Sequence, residues 1–446
     1  MRTILHIDFN SYFATVEQQA NPRLRGKPIG VTGGDRMERT VLGAASVEAK
    51  RLGVKTGMPI WEAQKLCPDL ILVRGDSDKY LECTKRFLNI LKDYSPKLEV
   101  FSIDEVFLET ESGKYNFFLD SGLLQLATQI KSRIRSEIGE WITCSVGISY
   151  NKLMAKLAGS LYKPDGLAVI ADETAAMVVL DRIELDEICG IGPGIKKRLN
   201  NMGVFSFKAL RGVPLDSLLA SFKSYGQTLY NMARGIDNTP LVPFYEKEEV
   251  KSIGHRHTLD QDTGDLVGIK QALLKLAELV ARRLRAKRLA GKTIHLWYRS
   301  AFQSQFHPRG VLHYAHPGGE FAGGGMQTTI PYTNDGLEIF QNTWRVFLQI
   351  WDREKIRMVG VSVSNLKSES PKNLSLLEED QKNEQIMNVL DKINDRFGEF
   401  TLERAALLSS PKVCRKPNPF LSDRRFKLSD NQVKGDRRCL LSTDLF

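Results

Sequence analysis

Cysteine is scarce and scattered in this chain. Cys67, Cys83, Cys144, Cys189, Cys414 and Cys439 stand far apart, and no two are spaced C-x-x-C. That argues against a disulfide framework or a cysteine zinc site and fits reduced thiols in a cytosol. Histidine is nearly as rare, and its one loose cluster, His307, His313 and His316, matches no zinc spacing. No uninterrupted apolar run reaches bilayer length, so no membrane-spanning helix and no membrane partner are expected. The opening MRTILHIDFN has charges at both ends of a short strand-like run, unlike a secretory leader. Acids are outnumbered, with 53 Asp and Glu against 63 Lys and Arg. The net charge of +10 is what a polyanionic partner such as nucleic acid would favour.

What is present is ordinary globular material, 42% hydrophobic and 26% charged, in 446 residues. That length exceeds one compact core and predicts two to four domains. TILHID reads as a buried strand ending at Asp8, and TVLGAASVEAKRLGV as a strand running into a helix closed by Gly53. Helical spacing follows in GMPIWEAQKLCPDL, SDKYLECTKRFLNILKDYS and LLQLATQIKSRIRSEIG, then strand, helix and strand in ITCSVGISYN, NKLMAKLAGSL and GLAVI. This alternation predicts an α/β (α+β) domain over 1–168. From about 172 to 238 the pattern is short and helical, and DNTPLVPFYEKEEVKS reads as a linker. A second α/β unit follows to about 366, and 367–446 is polar and broken, expected to be flexible in part.

Within VFSIDEVFLE two adjacent carboxylates, Asp104 and Glu105, interrupt an apolar run. Buried charge is expensive, so the pair must reach solvent or hold something positive. If its strand neighbours the one ending at Asp8, three carboxylates converge, and their repulsion calls for cations. Two Mg²⁺ ions about 3.5–4 Å apart suit such a cluster and serve phosphoryl or nucleotidyl transfer. The bland reading is three solvated strand-end acids with no common site.

Asp8-Phe9-Asn10-Ser11-Tyr12-Phe13, then Ser102-Ile103-Asp104-Glu105, then SVGISYNKLMAKLAGSLYKPDG together resemble the Y-family DNA polymerases, including the bacterial polymerase IV group and the polymerase V catalytic subunit. The resemblance runs from residue 1 to about 366. It implies a right-hand fold: palm at 1–10 and 77–168, fingers at 11–76, helix-hairpin-helix thumb at 169–237, linker at 238–248, α/β little finger at 249–366 and tail at 367–446. It implies translesion synthesis from a primer 3′-hydroxyl with dNTPs, no proofreading, and two Mg²⁺ held by Asp8, Asp104, Glu105 and the Phe9 carbonyl. Phe13 stands at the aromatic sugar gate, where a ring against C2′ excludes a 2′-hydroxyl, with Tyr12 its companion. Lys163 matches the lysine that reaches the triphosphate, and Lys50 is a second candidate. Polymerase IV relatives usually carry Tyr and Arg where this chain has Val47 and Lys50, and many have Asp at Asn10. Lysine cannot reproduce bidentate arginine binding there. Gly43, Ala44 and Ala45 would present a small surface to the nascent base pair.

ICGIGPGIKKRL reads as a helix-hairpin-helix, with Gly192 and Gly194 letting backbone approach a phosphate and Lys196 and Lys197 adding charge; a mere αα-turn is the bland alternative. ARRLRAKR, with Arg282, Arg283 and Arg285, is either a solvated helix face or a grip on template and primer backbones. In the tail, Leu374, Leu376 and Leu377 of NLSLL, and Leu445 and Phe446 at STDLF, are similar to the short apolar peptides with which these polymerases dock on the sliding clamp. Accessory subunits are a further expected class of partner. Two rival readings are a non-catalytic scaffold of the same fold that binds DNA and clamp, and a cyclase-like palm enzyme, for which the hairpin and basic helix have no purpose.

Overall fold

The computed structural model describes residues 2–33, 40–110, 121–246, 249–301, 314–316, 319–321, 323–368, 378–398 and 400–408. Their contacts divide them into two compact units, one within Met1–Lys247 and one within Glu248–Pro417. Among the described residues no helix is long and apolar enough to cross a membrane.

The first unit runs β1 (Thr3–Phe9), α1 (Tyr12–Ala20), β2 (Ile29–Thr32), β3 (Leu42–Ala45), α2 (Val47–Arg51), α3 (Ile60–Leu66), β4 (Ile71–Arg74) and α4 (Ser77–Lys92). It continues through β5 (Leu98–Val100), β6 (Glu105–Thr110), α5 (Ser121–Glu137), β7 (Cys144–Ser149), α6 (Lys152–Leu161) and β8 (Leu167–Ile170). Helices α7 (Glu173–Leu180), α8 (Pro193–Asn201), α9 (Phe207–Gly212), α10 (Leu215–Phe222) and α11 (Tyr225–Met232) close it.

Strand β1 is buried along its whole length because it is the centre of a five-stranded sheet, ordered β5-β6-β1-β7-β8. Its pleat sends Leu5, Ile7 and Phe9 into the main core with Phe87, Ile130 and Ile134 of α4 and α5. Ile4 faces the other way and meets Phe107 and Ala155. Asp8 stands opposite Glu105 on β6 and Ser145 on β7, so the antiparallel register sets the site. A smaller sheet, β3-β2-β4, carries α2 and α3 on a separate core built on Leu42, Ala49 and Ile60. The helical stretch packs Leu199, Phe207, Leu210, Leu218 and Leu229 together. In its hairpin only Gly190 needs glycine's freedom: its φ is +108°, and a Cβ would meet the Met232 side chain at 2.7 Å.

The second unit comprises β9 (Ser252–Thr263), α12 (Leu266–Ala286), β10 (Leu289–Ser300), β11 (Tyr314–His316), β12 (Gly319–Phe321), β13 (Gly323–Thr333), α13 (Gly336–Ile350), β14 (Ile356–Ser368) and α14 (Glu378–Phe397). The sheet β13-β10-β14-β9 is antiparallel throughout and turns Ile253, Leu259, Ile294, Leu296 and Val361 toward α12 and α13. Part of the stretch expected to be flexible is ordered. Helix α14 lies along α12, and Leu407 beyond it is buried in the same core. Met387, Leu390, Asp391 and Asn394, at i, i+3, i+4 and i+7, form the facing side of α14. Ion pairs of Asp391 with Arg285 and Asp395 with Arg282 add to that contact, so the stretch looks too polar to pack.

Candidate active site

The chain leaves β1 through Phe9 and Asn10, and Ser11 then adopts a left-handed φ of +47° before α1 begins at Tyr12. This bend brings the end of the sheet and the start of the helix to one cavity. Asp8, Phe9, Tyr12, Phe13, Lys50, Asp104 and Lys163, all expected at the site, line it together. Glu105 stands across from Asp8 at the first position of β6, and the Phe9 amide donates to the Asp104 carbonyl at 3.0 Å. Gly43, Ala44 and Val47 form an apolar part of the wall. Arg51 and Thr56 also line it; sequence reading passed over both, although Arg51 directly follows Lys50 on α2.

The carboxylates crowd and are largely dehydrated. Burial pushes the Asp104 carboxyl above its usual range, Asp8 adds to this, and the Ser102 hydroxyl donating to Oδ1 works against it. Glu105 is pushed up to about 7 by burial, despite Lys156, whose Nζ reaches both carboxylate oxygens at 2.7 and 2.8 Å. Lys163 sits on Asp8. Lys50, on α2 at the cavity wall, is lowered by burial and by Lys163, with Asp8 and Asp104 opposing. Two lysines thus rest where a divalent cation would be attracted. His6 lies beneath: it is 1% exposed, burial holds it down to about 3, and neither ring nitrogen has a hydrogen-bond partner. A buried neutral imidazole without a partner is unusual. Among the described residues, one group of three potential ligands has its atoms within 4.8 Å of one another: His6, Asp8 and Glu105. Dehydrated carboxylates with raised pKa values and an orphaned imidazole beside them suit a divalent metal.

Phe13 is 8% exposed and stacks on the Tyr80 ring at 4.4 Å. The Tyr12 hydroxyl donates to the Tyr80 carbonyl at 2.8 Å, and the Tyr80 hydroxyl to Glu17 at 2.8 Å. Tyr80, on α4, is far away in sequence and nothing local signals its role. Asn10 is anchored, donating to Thr143 at 3.2 Å and accepting from Ser145 at 3.0 Å.

Outside the cavity the basic candidates separate. Gly192 caps α8, and Gly192 and Gly194 both border open space. Lys196 is paired with Asp186 at 2.7 Å and Glu184 at 3.2 Å, while Lys197 is exposed. On α12, Arg282 pairs with Asp395, Arg285 with Asp391, and Arg283 donates to the Gly254 carbonyl at 2.8 Å. All three arginines thus have partners within the second unit. The sheet face turned away from α12 and α13 instead carries Arg256, His295, Trp297, Arg299, Ser362 and Ser364, which sequence reading missed because their common face follows only from the strand register. Arg256 lies over the Trp297 ring at 4.6 Å, and Gly360 leaves the room the indole needs, since a Cβ would fall 2.6 Å from its Nε1. Leu374, Leu376, Leu377, Leu445 and Phe446 lie outside the described residues, as do His307 and His313.

Comparison with known proteins accounts for both units. Residues 7–160 match the model of the impB/mucB/samB family, residues 250–376 its C-terminal domain, and residues 186–237 the thumb domain described for DNA polymerase-iota. The DNA polymerase IV of Pelotomaculum thermopropionicum is 36% identical over 415 residues, 93% of this chain and 97% of that one. That of Moorella thermoacetica is 35% identical over 416 residues, 92% and 97% of the two chains. A solved Y-family DNA polymerase chimera is similar with a TM-score of 0.66 and 26% identity, covering 82% of this chain and 99% of its own. Matches of this extent, carried by the same elements that assemble the carboxylate cavity, make the chain a member of the impB/mucB/samB family of Y-family DNA polymerases.

Proposed function

We propose that this protein is a template-directed DNA polymerase of the translesion type, adding dNTPs to a primer 3′-hydroxyl. One observation carries the reading: Asp8 and Asp104 line one cavity with Phe13 and Lys163, and strand register sets Glu105 directly across from Asp8. Asp8, Asp104, Glu105 and the Phe9 carbonyl would hold two Mg²⁺, which would supply Lewis-acid activation of the primer hydroxyl and charge neutralisation at the pyrophosphate. Lys163 leaves Asp8 for the incoming triphosphate, acting as a point charge, while Lys50 and Arg51 face the same phosphates. Phe13, braced on Tyr80, lies under the sugar and excludes a 2′-hydroxyl by bulk. Gly43 and Ala44 leave the wall beside the nascent base pair small, which fits tolerance of a damaged template. Lys197, Gly192 and Gly194 would meet backbone phosphates, as would Arg256 and Arg299 on the open sheet face. The leucines of NLSLL, or Leu445 and Phe446, would dock on a sliding clamp.

Primer extension on a primed template with Mg²⁺ tests this. Wild type should extend with dNTPs, and Asp104→Ala should lose at least about a hundredfold in rate while still binding the template. A wild type that binds DNA and never extends it would favour the non-catalytic scaffold.

A further inference from the structure

His6 is absorbed by none of the roles above. It lies two residues before Asp8 on β1, so both side chains leave the same face of the strand, and Glu105 faces Asp8 from β6. Its Nε2 points at Glu105, 3.7 Å from Oε1, too far for a hydrogen bond. The ring cannot easily turn away. Phe107 packs against it at 4.8 Å, and helix α6 approaches so closely that a Cβ on Gly159 would fall 3.0 Å from Nδ1. A nitrogen donor, itself almost wholly buried and without a partner, is therefore aimed between two carboxylates.

We propose that His6, Asp8 and Glu105 form a nitrogen-containing site for a divalent transition metal of the Mn²⁺, Co²⁺ or Zn²⁺ class, beside the all-oxygen ligand set that Mg²⁺ prefers. The inference deepens the reading of Asp8 and Glu105 as metal ligands and rests on it. Mg²⁺ favours hard oxygen donors and gains little from imidazole, whereas the first-row transition ions accept imidazole and carboxylate together. The Lys156 ammonium now on Glu105 marks where positive charge is attracted, and an entering dication would displace it or share the carboxylate. Occupancy by such an ion draws on a ligand that Mg²⁺ does not need, so the two metals differ in ligands as well as in affinity.

The test is electron spin-echo modulation of Mn²⁺ added alone to the untagged, metal-stripped full chain. Wild type should show modulation from a directly bound ¹⁴N, converted to ¹⁵N when only histidine is labelled. His6→Phe should lose that signal, with the Mn²⁺ dissociation constant rising about tenfold. Bound Mn²⁺ without histidine coupling in wild type, or coupling that survives in His6→Phe, would overturn this site and leave the carboxylate reading standing. Failure of Mn²⁺ to bind at all would remove both. The labelled wild-type spectrum decides the matter even if the variant does not fold.

Discussion

Phe13 is held from below by the Tyr80 ring, and Tyr80 is held in turn by Glu17 and by the Tyr12 hydroxyl on its carbonyl. A ring so braced cannot swing aside for a ribose hydroxyl, so exclusion should follow from its bulk. Phe13→Ala should therefore reduce discrimination between dNTP and rNTP by at least about tenfold, read as the ratio of kcat/KM for single insertions. Discrimination left unchanged would place the sugar gate elsewhere. At this scale Asp8, Asp104, Glu105 and Phe13 were legible as candidates because they lie in short local motifs, and the fold brings Asp8, Asp104 and Phe13 to one cavity with Glu105 across from Asp8. Tyr80, His6 and Arg51 were not legible. The first two acquire their places only through strand register and helix packing, and Arg51 stood beside a lysine that drew the attention.

Among the elements, β9 holds two histidines against the helices of the second unit. His255 is lowered to about 4, chiefly by burial, then by Arg283 and His257; His257 is lowered by burial and by Lys275, with Asp260 opposing. The unfolded chain takes up protons near the ordinary value of 6.5 while the folded chain does not, so stability is full above that value and falls as pH drops toward 4. His255 alone should remove about 2 kcal/mol between pH 7 and pH 5. Urea unfolding of the full chain at the two pH values, followed in the second unit, should show this loss, and His255→Gln should flatten it. An equal loss in the variant would assign the effect to other groups. Strands and helices of both units were broadly readable from period and punctuation. Helix α14 was not, because acids that look solvated in the sequence meet arginines more than a hundred residues away.

For the molecule as a whole, the excess of base over acid predicts binding that weakens with salt. In the run at 281–288, Arg282 and Arg285 already have partners on α14, while Arg256 on the opposite sheet face is a further candidate for phosphate contact. Arg256→Ala should weaken primer–template binding similarly across sequences and reduce the slope of log K against log salt by about one, measured by fluorescence anisotropy. An unchanged slope would take Arg256 out of the phosphate contacts.

The pairing of α14 with α12 has a consequence for encounter. Arg282, Arg285 and Arg404 are matched by Asp395, Asp391 and Glu278 on one side of the second unit, while Arg256 lies over Trp297 on the opposite face of its sheet. A body whose charge is unevenly spread feels a torque in the field of a polyanion as well as a pull. The ion pairs of α14 would thus bias which way round the unit meets a polyanion.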